Sequence, residues 1–342
     1  VFYLVSRYEE YLPFQADEYK RYPHHASLAY REGFLQRPLV EEWALLIKES
    51  IVRKQAALEN HWKENRPGIQ LSYDIDMAWS YKNKSLLRNA GGMLRSVVMG
   101  QFNAVKERIA VLRGKKEDPF DSFSWMDDLH KRIGAVPLYF FLVAEQKGKY
   151  DKNLSPHHAA MIRLFTQTAE SYEIGLHPSW QSYSRHKKIR REKKILEVYT
   201  GKEIFRSRQH YIRFQLPKTY RQLIKAGIRE DYSMGYGSIN GFRASISTPF
   251  YWFDLEKNEI TTLEIHPFCF MDANAFYEQK FSPIDALYEL RSFTQQLQQY
   301  GGSLITIWHN NFLGTDPKFK GWKEIYQQWI TEIKRDVNPQ TI

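Results

Sequence analysis

Short apolar runs alternate with amphipathic stretches along most of the chain. The runs are IQLSYDI (69–75), AVPLYFFLVA (135–144), YEIGLHP (172–178), IFRSRQHYIRF (204–214), REDYSM (229–234), TTLEIHPFCF (261–270) and SLITIWH (303–309). Helix-like stretches fill most of the gaps, at 85–113, 121–133, 155–171, 186–199, 217–227 and 283–299. This alternation predicts an α/β fold around a parallel sheet, either open or closed as a barrel. The first 64 residues read as mostly helical: Trp43, Leu46, Ile47 and Ile51 recur at helical spacing within 38–62, and Pro67 and Gly68 then break the pattern. The expected division is a helical N-terminal extension, 1–64, followed by an α/β domain, 65–342.

Polar residues suited to chemistry cluster at the ends of the apolar runs: Asp74, Asp76, His177, His210, Asp231 and His309. In parallel α/β folds, function gathers at the carboxyl ends of strands, and a barrel would bring these residues onto one rim. Asp74 and Asp76, two apart in a strand, would face the same way, so their repulsion calls for a cation or a shared proton. His177 ends a run just before a proline, where a neutral imidazole can bind a metal. Four residues on stands Gln181, a poor ligand. His210, two residues from Arg208 and on the same face, can take its place. Asp76, His177 and His210 together offer one carboxylate and two imidazoles with room for water, the donor set of a catalytic zinc. Arg243, in GFRAS (241–245), is expected to hold Asp74 ionised through paired hydrogen bonds. His309, beside Trp308, is placed as a general acid.

Composition narrows the partners. The chain of 342 residues contains one cysteine, Cys269, which excludes an internal disulfide and a multi-cysteine zinc module. Net charge is +10, densest at RHKKIRREKK (185–194), which reads as a solvated helix face; no nucleic-acid-binding module accompanies it. No run approaches the ~18 apolar residues of a membrane span. The chain opens at Val1 with neither initiator methionine nor signal peptide, so it is expected to be part of something longer, and cytoplasm and periplasm both fit.

The ordered blocks YDID, EIGLHPS, RQHY, DYSMGY, GFRAS and IWH resemble the NodB-homology polysaccharide deacetylases over about residues 69–315. They are most similar to the Bacteroidetes-type branch found with cell-surface polysaccharide biosynthesis, and FYLVSRYEEYL resembles the end of that branch's extra N-terminal region. The resemblance implies a distorted (β/α) barrel of about seven parallel strands and a divalent metal, usually zinc. It implies acetylated sugars of a bacterial cell-surface glycan as substrates. It makes Asp74 the base, Asp76 and His177 metal ligands, Arg243 the arginine orienting the base, and His309 the acid, held charged by Asp231 or Asp272. Gln181 stands where the family usually has its second metal histidine. The alternative reading, an inactive glycan-binding relative, rests on that residue.

Overall fold

The computed structural model describes residues 1–61 and 67–336; the division expected at 64/65 lies outside them. Each of the seven apolar runs carries a strand. The strands are β1 (Gly68–Ile75), β2 (Leu138–Leu142), β3 (Glu173–His177), β4 (Arg206–Ser207), β5 (Glu230–Asp231), β6 (Phe250–Asp254), β7 (Glu259–Ile265), β8 (Phe270–Met271) and β9 (Ser303–His309). They form one sheet in the order β6-β7-β5-β4-β3-β2-β1-β9-β8. All neighbours are parallel except β6, which pairs antiparallel with β7. Every residue of β2 is buried, as expected of a strand covered on both faces.

The two ends of this order meet through one stretch of chain. Ile265 of β7 lies beside Asp231 of β5, and Met271 of β8 lies beside Ile307 of β9. Between them the His266 N–H donates to the Asp231 carbonyl (2.8 Å), Phe268 to Met234 (3.2 Å) and Cys269 to Ile305 (3.2 Å). Residues 259–271 thus fasten both edges and close a barrel of seven parallel staves: β1 to β5, the β7–β8 stretch, and β9. Helices Phe123–Ile133, Ala159–Ser171, His186–Thr200, Lys218–Lys225 and Pro283–Tyr300 follow the expected stretches. The basic run lies on His186–Thr200, where Lys187, Arg190, Arg191 and Lys194 are exposed.

Four local readings differ from the sequence pattern. The run 204–214 is a strand only at β4, because Tyr211 and Ile212 take left-handed backbone (φ 59° and 52°) and turn the chain into the barrel mouth. The stretch 85–113 divides into Leu86–Val98 and Phe102–Leu112 at Gly100, also left-handed (φ 68°). The antiparallel β6 and the helix Trp322–Asp336 were not expected. The N-terminal region holds one long helix, Leu39–Lys54; residues 1–38, punctuated by Pro13, Pro23 and Pro38, form short turns of helix and irregular chain.

Buried charge ties that region to the barrel. Glu10 accepts from Arg7 Nε (2.6 Å), from Arg243 Nε (2.8 Å) and from Arg243 Nη2 (2.5 Å), and all three residues are buried. Arg7 also donates to the Arg243 carbonyl. Glu41 Oε1 accepts from the Ser247 and Thr248 amides (2.9 and 2.8 Å). Removing one member of a buried ion group leaves uncompensated charge. Arg243→Met should therefore lower stability by about 3–5 kcal/mol, read as a shift in the denaturant midpoint. An unchanged midpoint would mean that Glu10 and Arg7 satisfy each other without it.

Candidate active site

The carboxyl ends of the staves bring the sequence-chosen residues together. Asp74 of β1 lies in register with His309 of β9, Asp76 follows one residue after β1, and His177 ends β3. His210 arrives from the left-handed turn after β4. Asp76 is the centre. Its Oδ1 faces His177 Nε2 at 3.3 Å, and its Oδ2 faces His210 Nε2 at 3.4 Å and His309 Nε2 at 3.8 Å.

The protonation pattern fits a cation at Asp76, His177 and His210, whose ligand atoms lie within 4.8 Å of one another. His177 Nδ1 lies 2.6 Å from the Arg208 carbonyl, which can only accept; the neutral ring therefore carries its proton on Nδ1 and turns the Nε2 lone pair toward Asp76. His210 Nδ1 meets Asp151 Oδ1 at 3.1 Å, which orients that ring the same way. Asp76 Oδ1 is covered from solvent and accepts no well-formed hydrogen bond, as suits an oxygen meant for a metal. Without a metal, protons do the pairing. Desolvation pushes the Asp76 carboxyl up, but the charge of His210 and the imidazole contacts hold it well below the usual carboxylate range. Burial pulls His210 down, and Asp76 and Asp151 outweigh it, raising its pKa to about 9.

One supporting residue differs from expectation, and a choice between two others is decided. The arginine at Asp74 is Arg208, not Arg243. Arg208, with no solvent exposure, donates from Nη1 to Asp74 Oδ1 (2.8 Å), from Nη2 to Ser72 Oγ (2.7 Å) and from Nε to the Tyr232 carbonyl (3.1 Å). Arg243 is occupied by Glu10 and the Gly235 carbonyl (3.0 Å). The carboxylate at His309 is Asp272, not Asp231. His309 Nδ1 and its backbone N–H donate to Asp272 at 2.6 and 2.7 Å. Asp231 instead accepts from Ser207 Oγ (2.9 Å) and from the Ser233 amide and hydroxyl (both 3.0 Å), and burial raises its pKa to about 6. Arg208 was within reach of sequence reasoning, two residues before His210 in RQHY. Asp151, in an irregular loop, gave no signal. Gln181 is exposed, whereas His210 stands with Asp76 and His177.

Asp74, Asp76, His177, His210 and His309 line a cleft of about 430 Å³. One wall, adjoining His210, is aromatic: Tyr150 and Tyr211 have ring centres 5.2 Å apart, and Trp180 stacks against Tyr150 at 3.9 Å. The N-terminal region completes this wall. Tyr19 lies 5.4 Å from Tyr211, and Arg21 donates to the Tyr211 and Gly237 carbonyls (2.9 and 3.0 Å). A second group, Glu230, Glu264 and His266, is met by a cation from the protein itself, with Arg206 Nε 2.7 Å from Glu230.

Burial pulls the His309 imidazolium down, but Asp272, with smaller help from Asp76 and Asp74, raises its pKa to about 10. Raised above its unfolded value of ~6.5, His309 contributes stability that is complete below that value and lost as pH rises through about 10. In metal-free protein, the His309 ring resonances followed by NMR should hold steady from pH 6 to pH 8, and Asp272→Asn should return the titration to the ordinary histidine range. A midpoint near neutrality in the unaltered protein would contradict the Asp272 pairing.

No curated protein sequence matches the chain. Residues 1–56 match a family of unknown function, DUF7033. Among solved structures, the chain is similar to a candidate polysaccharide deacetylase from Mycobacterium smegmatis: 12% identity over 80% of this chain and 86% of that one, with a TM-score of 0.50. A candidate polysaccharide deacetylase from Pseudomonas aeruginosa aligns at 13% identity over 80% and 87%, with a TM-score of 0.47. A candidate glycoside hydrolase/deacetylase from Parabacteroides distasonis aligns at 12% identity over 80% and 68%, with a TM-score of 0.46. At such identities the likeness is one of fold. The first of the three carries it: the barrel has the fold seen in that mycobacterial chain.

Proposed function

We propose that the protein is a metal-dependent deacetylase that removes acetyl groups from N-acetylated sugars of a bacterial cell-surface glycan. The observation that carries this reading is the Asp76–His177–His210 donor set, with a covered, unpartnered Asp76 oxygen, lying between an arginine-held carboxylate and a carboxylate-held imidazole in one cleft. These three residues would hold Zn²⁺ or another divalent ion. Such an ion polarises an acyl carbonyl and makes water more acidic.

The chain's own residues supply the rest. Asp74, held in place by the Arg208 hydrogen bond, accepts the proton of the water that adds to the acetamide carbon. His309, kept charged by Asp272, delivers a proton to the departing nitrogen, so the C–N bond breaks to acetate and a free amine. Asp272 is a positioning residue: it acts through His309. The rings of Tyr19, Tyr150 and Tyr211 offer flat apolar faces suited to the C–H faces of pyranose rings. His210 meets the objection raised by Gln181, because the third donor is present in space.

Purified protein should bind one divalent ion per chain, and His177→Ala should lose it. Asp74→Asn, nearly isosteric but unable to take a proton, should keep the fold and the metal while kcat/KM on an N-acetyl sugar falls by ~10²–10⁴. Undiminished turnover by this variant would remove Asp74 from the chemistry, and a metal-free native protein would remove the donor set.

A further inference from the structure

Helix Leu86–Val98 is built inside out. It turns Asn89 and Ser96 toward the protein and leaves Leu86 and Leu87 (each 87% exposed), Leu94 (66%) and Val98 (78%) in solvent. With Ala90 and Val97, these residues stand at offsets of 1, 4, 8, 11 and 12 from Leu86, one face of a helix. The exposed row continues past the turn with Met99 and Phe102. The inner face is held by polar contacts. Asn89 Nδ2 donates to the Tyr81 and Lys84 carbonyls (3.1 and 3.3 Å), and Arg108 from Phe102–Leu112 donates to the Asn89 carbonyl (2.8 Å). That guanidinium lies across Gly92, where an added Cβ would meet it at 1.8 Å. The outward apolar face is therefore part of a defined packing arrangement.

Its charge is of one sign. Residues 86–116 contain Arg88, Arg95, Lys106, Arg108, Arg113, Lys115 and Lys116 against Glu107 alone. Arg95, Lys106, Arg113 and Lys115 are exposed and enter no ion pair among the described residues. The other outward apolar pair, Leu46 and Ile47 on helix Leu39–Lys54, is shorter; Glu41 and Glu42 of that helix are buried, and Glu49 stands among Lys48, Arg53 and Lys54. The basic hairpin is inserted after the carboxyl end of β1, directly beyond the loop that carries Asp76. It is clamped there by Asp118, which accepts from the Ser80, Tyr81 and Lys82 amides (2.7, 2.7 and 2.8 Å).

We propose that this hairpin seats the protein on an anionic lipid surface, with Leu86, Leu87, Leu94, Val98 and Phe102 at the acyl boundary and the arginines and lysines among the phosphates. An outward apolar row bordered by charge of one sign is the pattern of an in-plane interfacial helix. A second copy on the same face would bring two like-charged hairpins together. The proposal stands on this surface alone and does not depend on the deacetylase reading.

The test uses the whole chain and sedimentation with vesicles. Binding is expected to vesicles of phosphatidylcholine containing about one third phosphatidylglycerol, to be absent from pure phosphatidylcholine, and to weaken as salt is raised. Leu87→Glu with Val98→Glu should weaken binding roughly tenfold or more, and Arg95→Ala with Lys106→Ala by about fivefold per charge removed. All four side chains are exposed, so melting temperature and metal content should not change. Lack of binding to the anionic vesicles, or equal binding by the Leu87/Val98 variant, overturns the proposal. A lipid-free dimer that Leu87→Glu dissolves, found without vesicle binding, would assign the face to a second copy.

Discussion

A guanidinium with no access to water must find every partner inside the protein, and Arg208 organises the barrel mouth by doing so. Its three nitrogens reach Asp74 on β1, the Ser72 hydroxyl one stave-position below, and the Tyr232 carbonyl beyond β5. Ser72 in turn donates to the Thr306 carbonyl of β9 (2.6 Å). One buried cation therefore links staves on opposite sides of the barrel, and it stacks on Phe140 of β2 at 4.3 Å. Gly175 makes room for that ring: a Cβ there would lie 2.4 Å from Phe140. The backbone carbonyl of Arg208 also fixes the His177 proton on Nδ1. The proposed base, Asp74, and one proposed metal ligand, His177, are thus oriented by the same residue, through its two ends.

The two aspartates of YDID thereby acquire different surroundings within two residues. Asp74 is buried against a permanent cation, while Asp76 opens onto the cleft among three imidazoles. Repulsion between neighbouring carboxylates, costly in a plain strand, is relieved on one side by Arg208 and on the other by whatever positive charge occupies the histidine cluster. The N-terminal region adds to this arrangement from outside the barrel. Arg21 holds the Tyr211 turn by its carbonyl, and Tyr19 extends the aromatic wall. Residues more than 180 positions apart in sequence thus shape one surface.

What the sequence disclosed followed from periodicity and strand ends. The parallel sheet follows from the alternation of runs and helices, and Asp74, Asp76, His177 and His309 lie where apolar runs stop, a signal visible in one dimension; His210 lies inside the run 204–214, after its strand has ended at Ser207. What it hid depended on choices between equivalents. Arg208 in RQHY and Arg243 in GFRAS are chemically equivalent candidates, and only packing reveals that Arg243 is taken by Glu10. Asp231 and Asp272 are each buried beside a strand end, and the barrel's closure alone decides which meets His309. The same limit applies to the two outward apolar helices, since period gives a face but not the direction in which it turns.

That closure has a consequence for how the chain can vary. The stretch 259–271 is paired with β5 at one end and with β9 at the other, and Asp272 is the next residue. Side chains along a strand alternate between faces, so a one-residue slip of Phe270–Met271 against β9 would turn Asp272 away from His309. Homologous chains sharing this arrangement should therefore keep the length of that segment while its composition drifts, whereas the insertion after β1 is free to grow, shrink or disappear.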